Sequence, residues 1–351
     1  MRYGYWLPIF GGWLRNVEEE NMAATWSYVK KLAQRSEQIG YSLSLVAELN
    51  LNDIKGVEAP SLDAWSTAAA LMAVTDRLEY MVAVRPTFHN PALLAKQAAN
   101  IDQIGGGGRL SLNVVSSWWK EEARKYGVHF EQHDDRYART SEWLDVLCNV
   151  WDRDHFSYEG KFYRVEDNVL QPKPATKPRP VIYAGGESET AKNLIAAKCD
   201  AYVMHGDPPV KIGERIADMR QRREKLGLPP MIFGMAAYSI IRDTDAEAQR
   251  ELGRITDVKA GSPGYKNYHE WLAGTQLEQR VSLEDYSVSN RGLRSGLIGT
   301  PAQVMDRVAE FEKAGIDLFL LQCSPQLEEM ERFAERVIRP LSPKGLPHDS
   351  E

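Results

Sequence analysis

Short apolar runs alternate with segments of helical period along most of this chain. Tyr3–Pro8 reads as a buried strand. Over Ala24–Gly40 the residues Val29, Leu32, Ala33, Ser36 and Ile39 share one helical face, and Gly40 is a stop. Strand Ser42–Ala47, helix Ser61–Thr75 and strand Leu78–Val84 follow. Pro91–Ile104 reads as a helix with proline in its first turn, where the missing N–H costs nothing. Strand Leu110–Val115 comes next, then helix Arg136–Val150. The alternation resumes with strand Pro180–Ala184, helix Glu189–Ala197, strand Asp200–Met204, helix Val210–Leu226 and strand Ile232–Ile241. Helix Pro301–Ala314, strand Asp317–Gln322 and helix Gln326–Val337 close the chain.

Three segments interrupt the pattern. Phe156–Val165, with Glu159-Gly160-Lys161 at its centre, reads as a β-hairpin. Gln171–Pro180 carries four prolines in ten residues and reads as a rigid connector. Thr256–Ser295 is a long polar stretch, and insertions of that length in compact domains are usually lids or binding loops.

Eight short apolar strands separated by helices predict a parallel sheet. Eight such units close most naturally into a (β/α)₈ barrel, an α/β fold of TIM-barrel type; a doubly wound open sheet is the alternative. The expected organisation is one barrel domain over residues 1–341, with a lid at about 256–295 and a tail at 342–351.

Composition narrows the function. Of 351 residues, 43% are hydrophobic and 26% charged, enough for a large core and an ordinary surface. The net charge of −6, without a basic block, argues against a nucleic-acid partner. Cys148, Cys199 and Cys323 have no metal or redox spacing, which fits a reducing cytoplasm. The apolar start MRYGYWLPIF is too short for a signal peptide, and no stretch reaches the roughly 18 apolar residues of a membrane span. A cytoplasmic location without membrane attachment is therefore expected.

In this fold the site lies at the C-terminal ends of the strands. Those ends lack a clustered Asp/Glu/His set with metal geometry and a nucleophile elbow. They carry Trp6, Trp13, Asn113, Ser116, Ser117, Trp118 and Trp119, a lining suited to a flat aromatic cofactor. Trp118 and Trp119 sit at a strand end beside Lys120-Glu121-Glu122, which favours a pocket wall over core. Gly105–Gly108 precedes a strand and reads as a turn. Ala184-Gly185-Gly186-Glu187-Ser188 follows a strand and opens a helix. It is either a phosphate-binding turn or a tight turn capped by Ser188.

Taken together, these residues resemble the bacterial luciferase-like flavin monooxygenases, in particular their alkanesulfonate and sulfone branch. The resemblance rests on Tyr5–Pro8, Val82–Pro86, Asn90-Pro91, Ala95–Asp102, Gly108–Trp118, His133–Tyr137, the Phe156–Tyr163 hairpin, Ala184–Ser188 and Leu297–Pro301, in order along nearly the whole chain. The resemblance implies reduced FMN as cofactor, with dioxygen as co-substrate. Asn113 and Ser116 would lie against the flavin ring and its ribityl chain. Tyr137, Ser188 and the Gly185-Gly186 backbone would hold the phosphate, with His133 supporting that corner. Arg85 and Thr87 would line the active site beside Trp6. Arg291 or Arg294 would close over flavin and substrate.

This chain departs from the alkanesulfonate enzymes in three places. Ala236 and Tyr238 stand where those carry an arginine and a histidine. Ser61 stands where they carry a cysteine, and Glu187 replaces a serine in the phosphate turn. A carboxylate there is unfavourable unless it points away.

The resulting expectation is a two-component monooxygenase that oxygenates a small alkanesulfonate or sulfone through a peroxyflavin, with carbon–sulfur cleavage. Arg291, Arg294 and Arg85 would bind sulfonate oxygens in an otherwise neutral aromatic pocket, with Tyr238 lining the same chamber. No Gly-x-Gly-x-x-Gly fingerprint is present, so an NAD(P)H-dependent flavin reductase is the expected partner, and the assembly a homodimer or homotetramer. Alternatives are a pyrimidine-type flavin monooxygenase, a flavin- or deazaflavin-dependent (F420) oxidoreductase on the same barrel, and a flavin-storage protein.

Overall fold

The computed structural model describes residues 1–259, 261–274 and 281–342, with backbone alone at His133, Asp134, Glu270 and Gly274. The strands in chain order are β1 (Arg2–Trp6), β2 (Leu43–Val46), β3 (Glu79–Val84), β4 (Leu110–Val114), β5 (Phe156–Glu159), β6 (Arg164–Asn168), β7 (Val181–Ala184), β8 (Ala201–Met204), β9 (Ile232–Ile241), β10 (Leu297–Gly299) and β11 (Leu318–Gln322). Strands β1, β2, β3, β4, β7, β8, β9 and β11 pair in parallel, and β8–β9, β9–β11 and β11–β1 pairings close the ring. The eight-stranded (β/α)₈ barrel read from the periodicity is therefore present, and β5 with β6 forms the side hairpin.

The period of two along each strand sorts the side chains. Leu43, Leu45, Met81, Tyr183, Ala201, Leu318 and Leu320 fill the barrel interior as one cluster. Their neighbours, such as Tyr5, Val82, Leu112 and Phe319, face the surrounding helices. Stepping two residues further toward the strand ends reaches Trp6, Ala47, Ala83, Asn113, Gly185, Val203, Ala236 and Gln322. All eight line one cavity.

Local chemistry sets the elements. Asn90 accepts from the backbone N–H groups of Ala92 and Leu93 and starts the helix Pro91–Ile104. Gly106, Gly107 and Gly108 take φ of +72°, +87° and +77°, and a strand follows them, so this run is a turn. Two helices go beyond the apolar pattern. Lys120–Lys125 is short, and Asp245–Thr256 buries only Ala248 and Ile255, too few positions to mark a face. The second helix is announced by a capping box, Thr244 with Glu247. Leu297–Gly299, expected as the approach to a helix, pairs with β9 before Thr300 caps Pro301–Ala314.

The insertion is built and not merely looped. Helical turns Tyr268–Gly274, Leu283–Tyr286 and Ser289–Ser295 surround a small aromatic core of Tyr265, Tyr268, Val281 and Tyr286. Arg15 ties it down, donating to Asp53 and to the carbonyl of Gly264 and stacking 3.9 Å from the Tyr286 ring centroid. Among the described residues, no helix is long and apolar enough to cross a membrane.

Candidate active site

The cavity, about 290 Å³, lies over the C-terminal strand ends beneath the segment that carries Tyr286, Val288 and Arg291. Its walls include Trp6, Phe10, Trp13 and Trp118. Trp118 and Trp119 stack at 5.4 Å, but only Trp118 faces the cavity; Trp119 is buried behind it. The pocket-wall expectation thus applies to one indole of the two.

One corner is built from the turn after β7. A Cβ on Gly185 would stand 2.7 Å from the carbonyl oxygen of Val203. On Gly186 it would stand 2.6 Å from the Ala191 methyl and 3.2 Å from the Tyr137 hydroxyl. Only glycine fits at either position, and the backbone lies open against the cavity. Tyr137 hydrogen-bonds with Ser188 and Ser116, and burial, the larger effect, raises its pKa. Ser188 also caps the helix Glu189–Lys198, accepting from the N–H of Ala191 at 3.2 Å, as the capping reading of this turn expects. Tyr202 donates to the Gly186 carbonyl at 2.8 Å and fixes the turn from below. Arg136 flanks Tyr137 and lines the cavity here; burial lowers its pKa. Backbone N–H groups at a helix start, hydroxyls and a guanidinium are the donors an anion needs.

Glu187 does not aim its charge at that corner. Its carboxylate receives Arg291 through two nitrogens, His205 Nδ1 at 3.2 Å, and Arg215 Nη2 at 3.6 Å. Asp207 completes the group, 2.7 Å from Arg215, 3.4 Å from Arg291 and 3.6 Å from Arg294. Arg294 pairs mainly with Asp285 at 2.6 Å and keeps 19% of its side chain exposed, whereas Arg291 is fully enclosed. Asn290 and Arg291 both adopt positive φ, 59° and 52°, a backbone uncommon for such residues.

Arg85 is equally committed. It bonds Glu122 with both terminal nitrogens, meets Glu48 at 3.3 Å and lies over the Phe88 ring. His89 shares Glu48 at 2.5 Å. The expectation of an otherwise neutral pocket with arginines ready for a sulfonate is therefore corrected. The cavity wall is rich in charge, and Arg15, Arg85, Arg215 and Arg291 each meet a carboxylate. Burying cations this deeply requires such partners.

Of the residues singled out in the sequence, Trp6, Arg85, Asn113, Ser116, Tyr137, Gly185, Gly186 and Arg291 line the cavity together. Ser188 reaches it through Tyr137. Tyr238 does not line it: the backbone of Gly292 packs directly on Tyr238, which is buried in the wall behind. Thr87 lies beyond the lining, Arg294 turns to Asp285, and the side chain of His133 lies outside the described residues. Among the described residues no group of His, Cys, Asp and Glu has metal geometry.

Sequence reasoning missed Gln322, whose amide lines the cavity, and the Arg15–Asp53 pair. It also missed Gln326, which accepts from Trp13 Nε1 at 2.7 Å and from the N–H of Cys323 and donates to the Trp6 carbonyl. A glutamine ending an otherwise apolar strand, Leu-Phe-Leu-Leu-Gln, was the available signal for Gln322.

Comparison with known proteins agrees with this geometry. The family model described as luciferase-like monooxygenase matches residues 1–318. An FMNH₂-dependent dimethylsulfone monooxygenase of Pseudomonas putida is 33% identical over 96% of this chain and 94% of its own length. A protein of the same name from Pseudomonas fluorescens (strain Pf0-1) is 31% identical over 96% and 93%. The crystal structure of a riboflavin lyase with modified FMN and riboflavin superposes with a TM-score of 0.84 at 21% identity, covering 99% of this chain and 92% of that one, and so shares the fold.

Proposed function

This chain belongs to the luciferase-like monooxygenase family, and from that premise we propose that it is the oxygenase of a two-component system, using reduced FMN and dioxygen to cleave a carbon–sulfur bond of a small uncharged sulfone. The cofactor reading is supported by the glycine turn, whose space no Cβ shares, with Tyr137, Ser188, Ser116 and Arg136 converging on it. These groups would hold the phosphate and the ribityl chain. The buried Asn113 Oδ1, without a hydrogen-bond partner among the described residues, would meet a donor on the ring. Bound reduced FMN would supply the electrons that activate dioxygen, and a separate NAD(P)H-dependent reductase would renew it.

The observation that carries the substrate reading is the pairing of the arginines. A sulfonate needs a guanidinium with donors to spare. Arg85, Arg291, Arg215 and Arg15 already meet Glu122 and Glu48, Glu187, Asp207 and Asp53. A sulfonate bound to any of them would crowd a second anion onto a guanidinium already facing a buried carboxylate. A neutral sulfone makes no such demand, and the dimethylsulfone enzymes among the relatives support the same choice.

The remaining residues act by positioning and by excluding water. Trp118 and Phe10 wall the chamber, while Tyr286, Val288 and Arg291 roof it. Overall, one atom of dioxygen goes to the carbon next to sulfur and the other to water. The oxygenated carbon leaves as an aldehyde and the sulfur as a sulfinate. The test is oxygen consumption and sulfinate release with enzymatically reduced FMN on dimethyl sulfone, methanesulfonate and uracil. Sulfinate from the sulfone alone is expected. Turnover confined to the sulfonate or the pyrimidine overturns the reading.

A homodimer or homotetramer is part of this proposal. Leu93, 74% exposed on Pro91–Ile104, and Ile104 give that helix an apolar outer edge. A monomeric mass by light scattering at micromolar concentration overturns it.

A further inference from the structure

The last barrel strand ends in a buried polar side chain, Gln322. Gln322 is 0% exposed, and neither its Nε2 nor its Oε1 has a hydrogen-bond partner among the described residues. Next to it on β1, the buried Nε1 of Trp6 is likewise without a partner. The register Tyr5 with Leu321 places Trp6 and Gln322 side by side at the next step, and both line the cavity. Buried polar groups are nearly always satisfied, so adjacent orphans in a ligand chamber mark where a ligand supplies the partner.

Their position separates them from the proposed cofactor corner. In ring order β1 is first and β7 fifth, so the Gly185–Ser188 turn and the Trp6–Gln322 pair lie on opposite walls. Their chemistry also differs from that corner. An indole N–H and an amide N–H are neutral donors, and the amide oxygen is a neutral acceptor beside them. A sulfonyl group presents two oxygen acceptors. The carbon next to it carries hydrogens polarised by the sulfur, weak donors that suit an amide oxygen.

Resting on the sulfone reading above, we propose that Gln322 and Trp6 form the sulfonyl receptor: Gln322 Nε2 and Trp6 Nε1 each donate to a sulfonyl oxygen, and Gln322 Oε1 faces the adjacent C–H. The pair selects a neutral sulfone because it offers hydrogen bonds without charge. It also explains why a costly unsatisfied amide stands where the strand pattern would place an aliphatic side chain.

The test compares wild type with Gln322→Leu and Trp6→Phe. Leucine nearly matches glutamine in size and removes only the orphaned amide, so Gln322→Leu is expected to melt at the wild-type temperature or above it. A merely structural glutamine would instead lower it. Calorimetric titration of the FMN-loaded, oxidised protein with dimethyl sulfone is expected to show binding at least tenfold weaker in either variant. The KM for the sulfone should rise in parallel, with the Kd for FMN within twofold of wild type. Wild-type sulfone affinity in both variants, or a loss of FMN affinity in place of sulfone affinity, overturns the assignment while leaving the sulfone activity standing. If the wild type itself binds FMN but neither binds nor cleaves dimethyl sulfone, the functional reading falls and this inference with it.

Discussion

Arg291 turns its guanidinium onto Glu187, a residue of the glycine turn 104 positions earlier, and both side chains are buried. The contact joins the roof of the cavity to the corner proposed for the phosphate and removes a negative charge from that corner. Breaking it leaves the buried Glu187 carboxylate with His205 at 3.2 Å and the longer Arg215 contact at 3.6 Å. Arg291→Ala is therefore expected to cost about 3 kcal/mol or more in urea unfolding. In turnover it should release more hydrogen peroxide per oxygen consumed, because the roof no longer seals. Arg294→Ala, which loses the partly exposed pair with Asp285, should cost about 1 kcal/mol or less and change coupling little. Equal peroxide release from the two variants would sink this distinction.

The glycine turn gives a second expectation. Gly186→Ala forces a methyl against Ala191 and the Tyr137 hydroxyl. FMN affinity should fall at least tenfold by fluorescence titration. Tyr137→Phe and Ser188→Ala each remove one hydroxyl and should weaken binding by about 1 kcal/mol, roughly fivefold. Ser188→Ala alone should also lower the melting temperature, since it removes a helix cap. If all three variants bind FMN like wild type, the phosphate lies elsewhere.

Arg85 is a test of burial without freedom. Arg85→Met leaves Glu122 without its cation and Glu48 with His89 as its remaining ion-pair partner among the described residues, and should destabilise by about 3–5 kcal/mol. Adding Glu122→Gln should restore part of that loss, a coupling of more than about 1 kcal/mol in the cycle. Additive losses would mean the ion pair is incidental.

The barrel was legible because both faces of each strand are apolar and the helices between them are amphipathic; Pro91–Ile104 and Ile232–Ile241 emerge at their predicted limits. The glycine turn was legible from its place between strand and helix. What the pattern hid was ionic. Arg85, Glu48 and Glu122 sit 37 residues apart in each step, and Arg15 reaches Gly264 across 249 residues. Periodicity reports which face a residue takes, not which distant charge it meets there. Tyr238 shows the same limit, since its strand outruns the barrel and is covered by Gly292. Gln322 was visible as a polar end to an apolar run, but its lack of partners is a property of the folded neighbourhood alone.

The thiols supply a pH expectation. Burial pushes the Cys148 thiol up to about 11 and Cys199 up to about 12. A raised folded-state pKa favours the protonated form, so the stability these groups contribute is intact below the unfolded value of about 9. It is lost as pH rises through about 11. Urea midpoints measured under reductant should fall between pH 9 and pH 11, and Cys148→Ser should flatten that slope. An unchanged slope in Cys148→Ser would contradict the assignment.

The closure of the ring between β1 and β11 has a consequence for synthesis. The first and last strands meet there, and Gln326 stitches the seam through Trp13, the Trp6 carbonyl and the N–H of Cys323. A chain leaving the ribosome can assemble β1 to β4 and the glycine turn while β8, β9 and β11 are still to come. The wall carrying Trp6 and Gln322 has no counterpart until the final strand is made. Ribosome-bound intermediates ending before Leu318 should therefore expose β1 along an unpaired edge. The chamber becomes a closed space in one late event, when Gln326 arrives.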